Sequence, residues 1–141
     1  MQFNLQRFID AQHHIYEQAL GELRAGRKSS HWMWFIFPQI AGLGRSEAAR
    51  FYAISNRAEA RAYLDHPVLG ARLRECTAAM LSHADLTAHD ILGSPDDLKF
   101  HSSMTLFAAI SGAGTSFEQA LHQFYDGKRD EETIARLSPE P

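Results

Sequence analysis

A single cysteine, Cys76, in 141 residues excludes an intramolecular disulfide, and without a CxxC partner it offers neither a redox pair nor a thiolate metal site. No stretch reaches the ~20 apolar residues that a membrane-spanning helix needs. The first eight residues lack the basic-then-apolar order of a secretory signal. Net positive charge is missing as well: 14 Lys and Arg against 17 Asp and Glu leave a formal charge of -3. The global basic field that drives nucleic-acid binding is therefore absent, and nucleic acid is an unsupported partner. No window alternates apolar and polar residues long enough to nominate a strand, and no segment of about 20–50 residues repeats. No His, Cys, Asp and Glu set has ligand spacing, so neither a metal nor a cofactor is called for. These absences point to a cytoplasmic protein with no membrane association.

What the chain does have is apolar and concentrated. Hydrophobic residues make up 45% and aromatic residues 11%, enough for one ordinary domain with a sizeable core. Both tryptophans and two of the nine phenylalanines fall in Ser29-Ser30-His31-Trp32-Met33-Trp34-Phe35-Ile36-Phe37-Pro38-Gln39-Ile40. Residues 32–37 are apolar without a break, so no face is left for water. Ser29 or Ser30 caps a helix starting at His31 and Pro38 ends it, predicting one or two buried helical turns. Lys28, His31 and Gln39 border this segment as candidates for a pocket edge.

From Phe3 to Ala25, apolar residues recur at spacings of three and four, which predicts one amphipathic helix stopped by Gly26. His13 and His14 point about 100 degrees apart on it and read as solvated surface. Gly42-Leu43-Gly44-Arg45 is either a plain connection or, ahead of Ser46 as the cap of a helix from Glu47 to Ile54, an anion-holding turn. Asn56 with Glu59 opens the next helix, which His66-Pro67 breaks. An apolar stripe from Val68 to Leu81 follows, with Cys76 reading as a small core residue. Thr87 caps a turn from His89 to Leu92. Ser94-Pro95-Asp96-Asp97 supplies a cap, a proline at the first position and two acids on the positive end of the dipole of a helix reaching Ser111. Thr115 to Glu118 is a capping box for a helix stopped by Gly127, and a last helix spans Glu131 to Leu137, with 138–141 fraying. The fold class is all-α: a single compact domain, 1–141, of about seven or eight helices, several short.

On the helix after Pro95, Lys99 shares a face with Ser102 and Ser103. Two hydroxyls beside an ammonium make a recognition surface for phosphate, carboxylate or ribose. The same serines, being small, would also let another helix approach closely. Trp32 and Trp34 either stack a base or sugar or belong to the core. His31 is a candidate general acid or base, or a packing partner of Trp34 and Phe35; His101 and Asp97 are the other acid–base nominations.

The run from Arg27 through Ile40, then Gly42-Leu43-Gly44 and Ser46, Leu64-Asp65-His66-Pro67-Val68-Leu69, Ile91-Leu92-Gly93, and Asp97-Leu98-Lys99-Phe100-His101-Ser102-Ser103-Met104-Thr105-Leu106-Phe107 resembles a bacterial family. That family is catalogued as domain of unknown function 1810, and its members often carry the label calpastatin. The resemblance covers nearly the whole chain and implies a compact all-α fold without an established activity. The label would imply an extended, disordered protease inhibitor, which 45% hydrophobic content and repeated helix caps argue against. The family also looks distantly similar to the NADAR proteins, small α-rich N-glycosidases acting on ADP-ribose or related ribosylated molecules; their glutamate–histidine motif does not align here.

The resulting expectation is a pocket between the His31–Gln39 segment and the Lys99 helix, binding an anionic, nucleotide-like small molecule. Lys28, Trp32, Trp34, Gln39, Arg45, Lys99, Ser102 and Ser103 would contact it, and His31, His101 and Asp97 would carry any hydrolysis. The rival is a non-enzymatic protein-interaction module, of unknown partner, in which the aromatic segment is simply core. Nucleic-acid binding through Arg24, Arg27 and Lys28 would instead show steep salt dependence.

Overall fold

The computed structural model describes residues 3–137, so the expected fraying of 138–141 lies outside the described residues. The architecture is all-α, with ten helices among the described residues. In chain order they are α1 (Gln6–Gln12), α2 (Tyr16–Ala25), α3 (Met33–Ile36), α4 (Glu47–Phe51), α5 (Arg57–Asp65), α6 (Leu69–Leu81), α7 (Ala88–Leu92), α8 (Asp96–Ser111), α9 (Ser116–Tyr125) and α10 (Glu131–Arg136). No strand occurs among them; one parallel bridge pairs Ile40 with Ile54.

The caps that sequence predicts are in place where the interaction is local. Ser46, Asn56, Thr87 and Thr115 each accept a backbone N–H three residues on. Gly26 takes φ 77° behind α2, and Arg27 N–H donates to the Glu22 carbonyl. Several boundaries differ; the helix expected to reach Ile54 stops at Phe51, since Ile54 N–H donates to the Gln39 carbonyl at 2.8 Å instead of continuing the turn. The single helix expected from Phe3 to Ala25 is two, split at His13–Ile15, because α1 packs on α3 while α2 packs on α6. At that break Gln12 turns inward, donating to the Phe35 carbonyl at 2.7 Å. The helix expected from His31 begins at Met33, since Ser29 and Ser30 give their N–H groups to Glu22 instead of capping. Ser94 does not cap α8: Pro95 holds that position and Asp97 N–H bonds the Gly93 carbonyl.

α8 is the central element, packed by α5, α7, α9 and α10. It is buried from Ser102 to Ala108 without interruption. Aromatic rings form its surroundings: Phe37 meets Phe100 edge-on at 4.8 Å, Tyr63 lies 5.6 Å from Phe107, and Phe8 is 5.0 Å from Tyr63. Each such ring contributes roughly 1.5–3 kcal/mol by leaving water. Where α5 and α6 meet, only glycine fits at Gly70: a Cβ there would lie 1.9 Å from the Leu64 carbonyl oxygen.

Glu22 fixes the lead-in to the aromatic segment. Its Oε1 accepts from Ser29 N–H (2.8 Å), Ser30 N–H (3.0 Å) and the Trp32 indole (2.9 Å), and its Oε2 accepts from the Ser30 hydroxyl (2.7 Å). Burial pushes this carboxyl up, but those donors outweigh it and hold it at about 2. A folded value below that of the free side chain stabilises above the unfolded value, ~4.3, and the contribution disappears as pH falls toward about 2. Glu22→Gln is expected to cost about 1–2 kcal/mol at pH 7 and to lose less stability than wild type between pH 5 and 3. Urea midpoints across that range check this; parallel losses in the two proteins would show that the network is not the source.

Candidate functional site

Two clefts meet where α3 faces the start of α8. The larger, about 620 Å³, lies between Trp34 and Gln39 on one side, Leu43 to Ser46 along its edge, and Leu98, Lys99, Ser102 and Asp130 opposite. That is the size of an ordinary small-molecule site. The smaller, about 270 Å³, is bounded by Lys28, His31, Trp34, Pro95, Asp96 and Lys99.

At the junction, one carboxylate serves two ammonium groups. Asp96 Oδ2 lies 2.8 Å from Lys28 Nζ and its Oδ1 lies 3.5 Å from Lys99 Nζ. Each ammonium also sits over an indole: Lys28 at 5.1 Å from the Trp32 ring and Lys99 at 5.0 Å from that of Trp34. The Lys28 side chain is only 9% exposed. Two cations against one anion leave a positive charge in a partly desolvated place, where water screens it weakly. The backbone contributes to this arrangement, because Lys28 N–H donates to the Ile91 carbonyl at 2.7 Å and so fixes where its side chain starts.

The predicted site residues separate into two groups. Lys28, His31, Trp34, Gln39, Arg45, Lys99 and Ser102 all line one cleft or the other. Arg45 has no ion-pair partner among the described residues, and its side chain stands at the exposed edge of the larger cleft. The rest lie elsewhere or are committed. Trp32 touches the smaller cleft only as its floor, fully buried with its N–H held by Glu22. Ser103 is sealed within α8, its hydroxyl without a partner among the described residues. His101 stacks on Tyr125 at 4.0 Å and spends Nε2 on the Lys128 carbonyl at 2.7 Å. Asp97 faces His89 at 3.6 Å with its other oxygen buried. The three acid–base nominations are thus not brought together, and of them His31 alone reaches a cleft.

Two residues of the site were not singled out from sequence. Asp96 reads locally as a helix-dipole acid, and its bridging role depends on a lysine 68 positions earlier in the chain. Asp130 reads as no more than the residue before α10. In the structure its Oδ2 accepts from Ser102 Oγ (2.8 Å) and Thr133 Oγ1 (2.6 Å), while its N–H donates to Thr105 Oγ1 (3.0 Å), tying α10 to α8. Among the described residues, no group of three His, Cys, Asp or Glu stands together as metal ligands, and no helix is long and apolar enough to cross a membrane.

Fold and site together define an all-α domain with a cationic junction between two clefts. The model of the DUF1810 family, described as a protein of unknown function, matches residues 2–137, and the chain belongs to that family. It is also similar to the conserved hypothetical protein Rv1873 from Mycobacterium tuberculosis, known from a crystal structure: 48% identity, TM-score 0.95, covering 98% of this chain and 99% of that one. No curated protein matches the chain.

Removing the shared carboxylate isolates the effect of the two ammoniums. Asp96→Asn is expected to destabilise by about 1–3 kcal/mol, because it leaves Lys28 and Lys99 without an anion. Added sulfate should then recover more stability in Asp96→Asn than in wild type. Equal recovery in thermal melts of the two proteins would mean that the junction does not hold anions.

Proposed function

We propose that the protein binds a small anionic, nucleotide-like molecule in the paired clefts between the Trp34 segment and the start of α8. The observation that carries this reading is the Lys28–Asp96–Lys99 junction, where one positive charge is left over beside a side chain nearly removed from water. An uncompensated, partly buried cation is costly to a fold, and an anionic ligand supplies the missing partner. Arg45 adds a second cation at the rim, and Trp34 offers an aromatic wall of the kind that ring-bearing ligands use. Turnover of an N-glycosidic bond, the chemistry of the NADAR proteins, would draw its acid or base from His31. His101 and Asp97 are engaged away from the clefts.

The rival reading, an interaction module without chemistry, is supported by Leu98, 61% exposed on the rim of the larger cleft. Thermal melting of wild type and Lys99→Ala against nucleotides, ADP-ribose, sugar phosphates and small acids separates the two. A ligand at about 100 times its dissociation constant raises native-state stability by ~2.7 kcal/mol. The expected outcome is a rise in melting temperature with at least one anionic compound that is lost in Lys99→Ala. Cooperative melting of both proteins with no shift across the panel would favour the interaction module.

A further inference from the structure

We infer that the two clefts are compartments of one site, the smaller seating the ligand's anionic group and the larger its uncharged, hydroxyl-bearing body, which Asp130 reads. This rests on the anion-binding proposal and adds a ligand class to it: a sugar or nucleoside carrying one phosphate-like group. The compartments share Trp34, Pro95 and Lys99, so a ligand crossing between them passes the Lys99 ammonium.

Charge assigns the two roles. In the smaller cleft Lys28 and Lys99 face one carboxylate, Asp96, and His31 adds a further positive charge when protonated. In the larger, Glu132 is already paired with Arg136, and an anion seated beside Ser102 meets the Asp130 carboxylate, whose repulsion offsets the pull of Lys99 and of Arg45 at the exposed edge. The same cations disfavour an amine in that compartment. What remains is a neutral body with donors.

Asp130 is built to accept from such a body. The donors of Ser102 and Thr133 all converge on its Oδ2, which fixes the carboxylate in place. Its Oδ1 has no protein donor among the described residues, yet it is not one of the sealed polar atoms. A fixed, half-buried carboxylate oxygen that lacks a donor is a strong acceptor for a hydroxyl. The Gln39 side-chain amide, also without a protein hydrogen bond among the described residues, offers a donor and an acceptor on the same cleft. Trp34, Leu43 and Leu98 supply apolar walls for a ring face.

The test is calorimetric titration of the full chain with inorganic phosphate, adenosine 5′-monophosphate and its 2′,3′-dideoxy analogue, in wild type, Lys28→Ala and Asp130→Asn. Wild type is expected to bind the monophosphate about tenfold more tightly than the dideoxy analogue, the difference one or two good hydrogen bonds make. Lys28→Ala should weaken all three probes together. Asp130→Asn should abolish the preference between the two nucleotides and leave inorganic phosphate unchanged. Asparagine still caps α10, and its oxygen retains the donors that Oδ2 holds; Gln39→Leu, which leaves that cap intact, should show the same pattern if Asp130→Asn fails to fold. Equal wild-type binding of the two nucleotides, or a loss in Asp130→Asn shared by inorganic phosphate, overturns the inference while leaving anion binding in place. If no probe binds wild type, inorganic phosphate included, the anion-binding reading falls and takes this one with it.

Discussion

The carboxylate of Glu22 sets the geometry of the molecule's centre. It stands near the end of α2, and four donors from residues 29–32 close on it. The chain leaving the left-handed turn at Gly26 is thereby folded back along its own helix. Because the Trp32 indole must reach Glu22, its ring goes into the core, and the single turn of α3 follows with Met33, Phe35 and Ile36 buried. A neutral side chain could not accept all four donors at once, which is why an acid sits in this partly buried place.

The same fold-back brings Lys28 to Asp96, where the pairing is not the one that stability alone favours. A structure selected only for stability would match each partly buried cation with its own anion or replace the cluster with apolar side chains. This one places two ammoniums on one carboxylate and puts both over indoles, a weaker compensation than a second acid would be. Local departures from the rules of good packing and pairing concentrate where a protein acts on something else. The junction lies against both clefts, where the proposed anionic ligand would supply the second negative charge.

How much of this could be read from the sequence depends on the distance over which each cause acts. The caps at Ser46, Asn56, Thr87 and Thr115 need only a backbone N–H three residues away, and the all-α architecture follows from them and the apolar spacing. The break between α1 and α2 has no local signal, since it exists to let the two halves pack on different helices. Trp32 and Trp34 look equivalent in an unbroken apolar run; what separates them is an acid ten residues earlier that claims one indole. The convergence of Lys28, Lys99 and Arg45 on neighbouring clefts was legible as a set of border cations, but their pairing through Asp96 was not. Asp130 was invisible for the same reason: its partner Ser102 lies 28 positions away.

The serine pair of α8 shows why composition alone leaves such questions open. Ser102 and Ser103 have the same chemistry and adjacent positions, but turn about 100 degrees apart on the helix. Ser103 faces inward, where a small side chain allows close packing and its hydroxyl finds no partner among the described residues. Ser102 faces the larger cleft and donates to Asp130, joining the helix to the start of α10. The wall of the cleft is therefore also the seam that holds the last helix in place. A ligand that donated to the free oxygen of Asp130 would add to the bonds closing that seam, so occupancy of the cleft and docking of α10 would reinforce each other through one carboxylate.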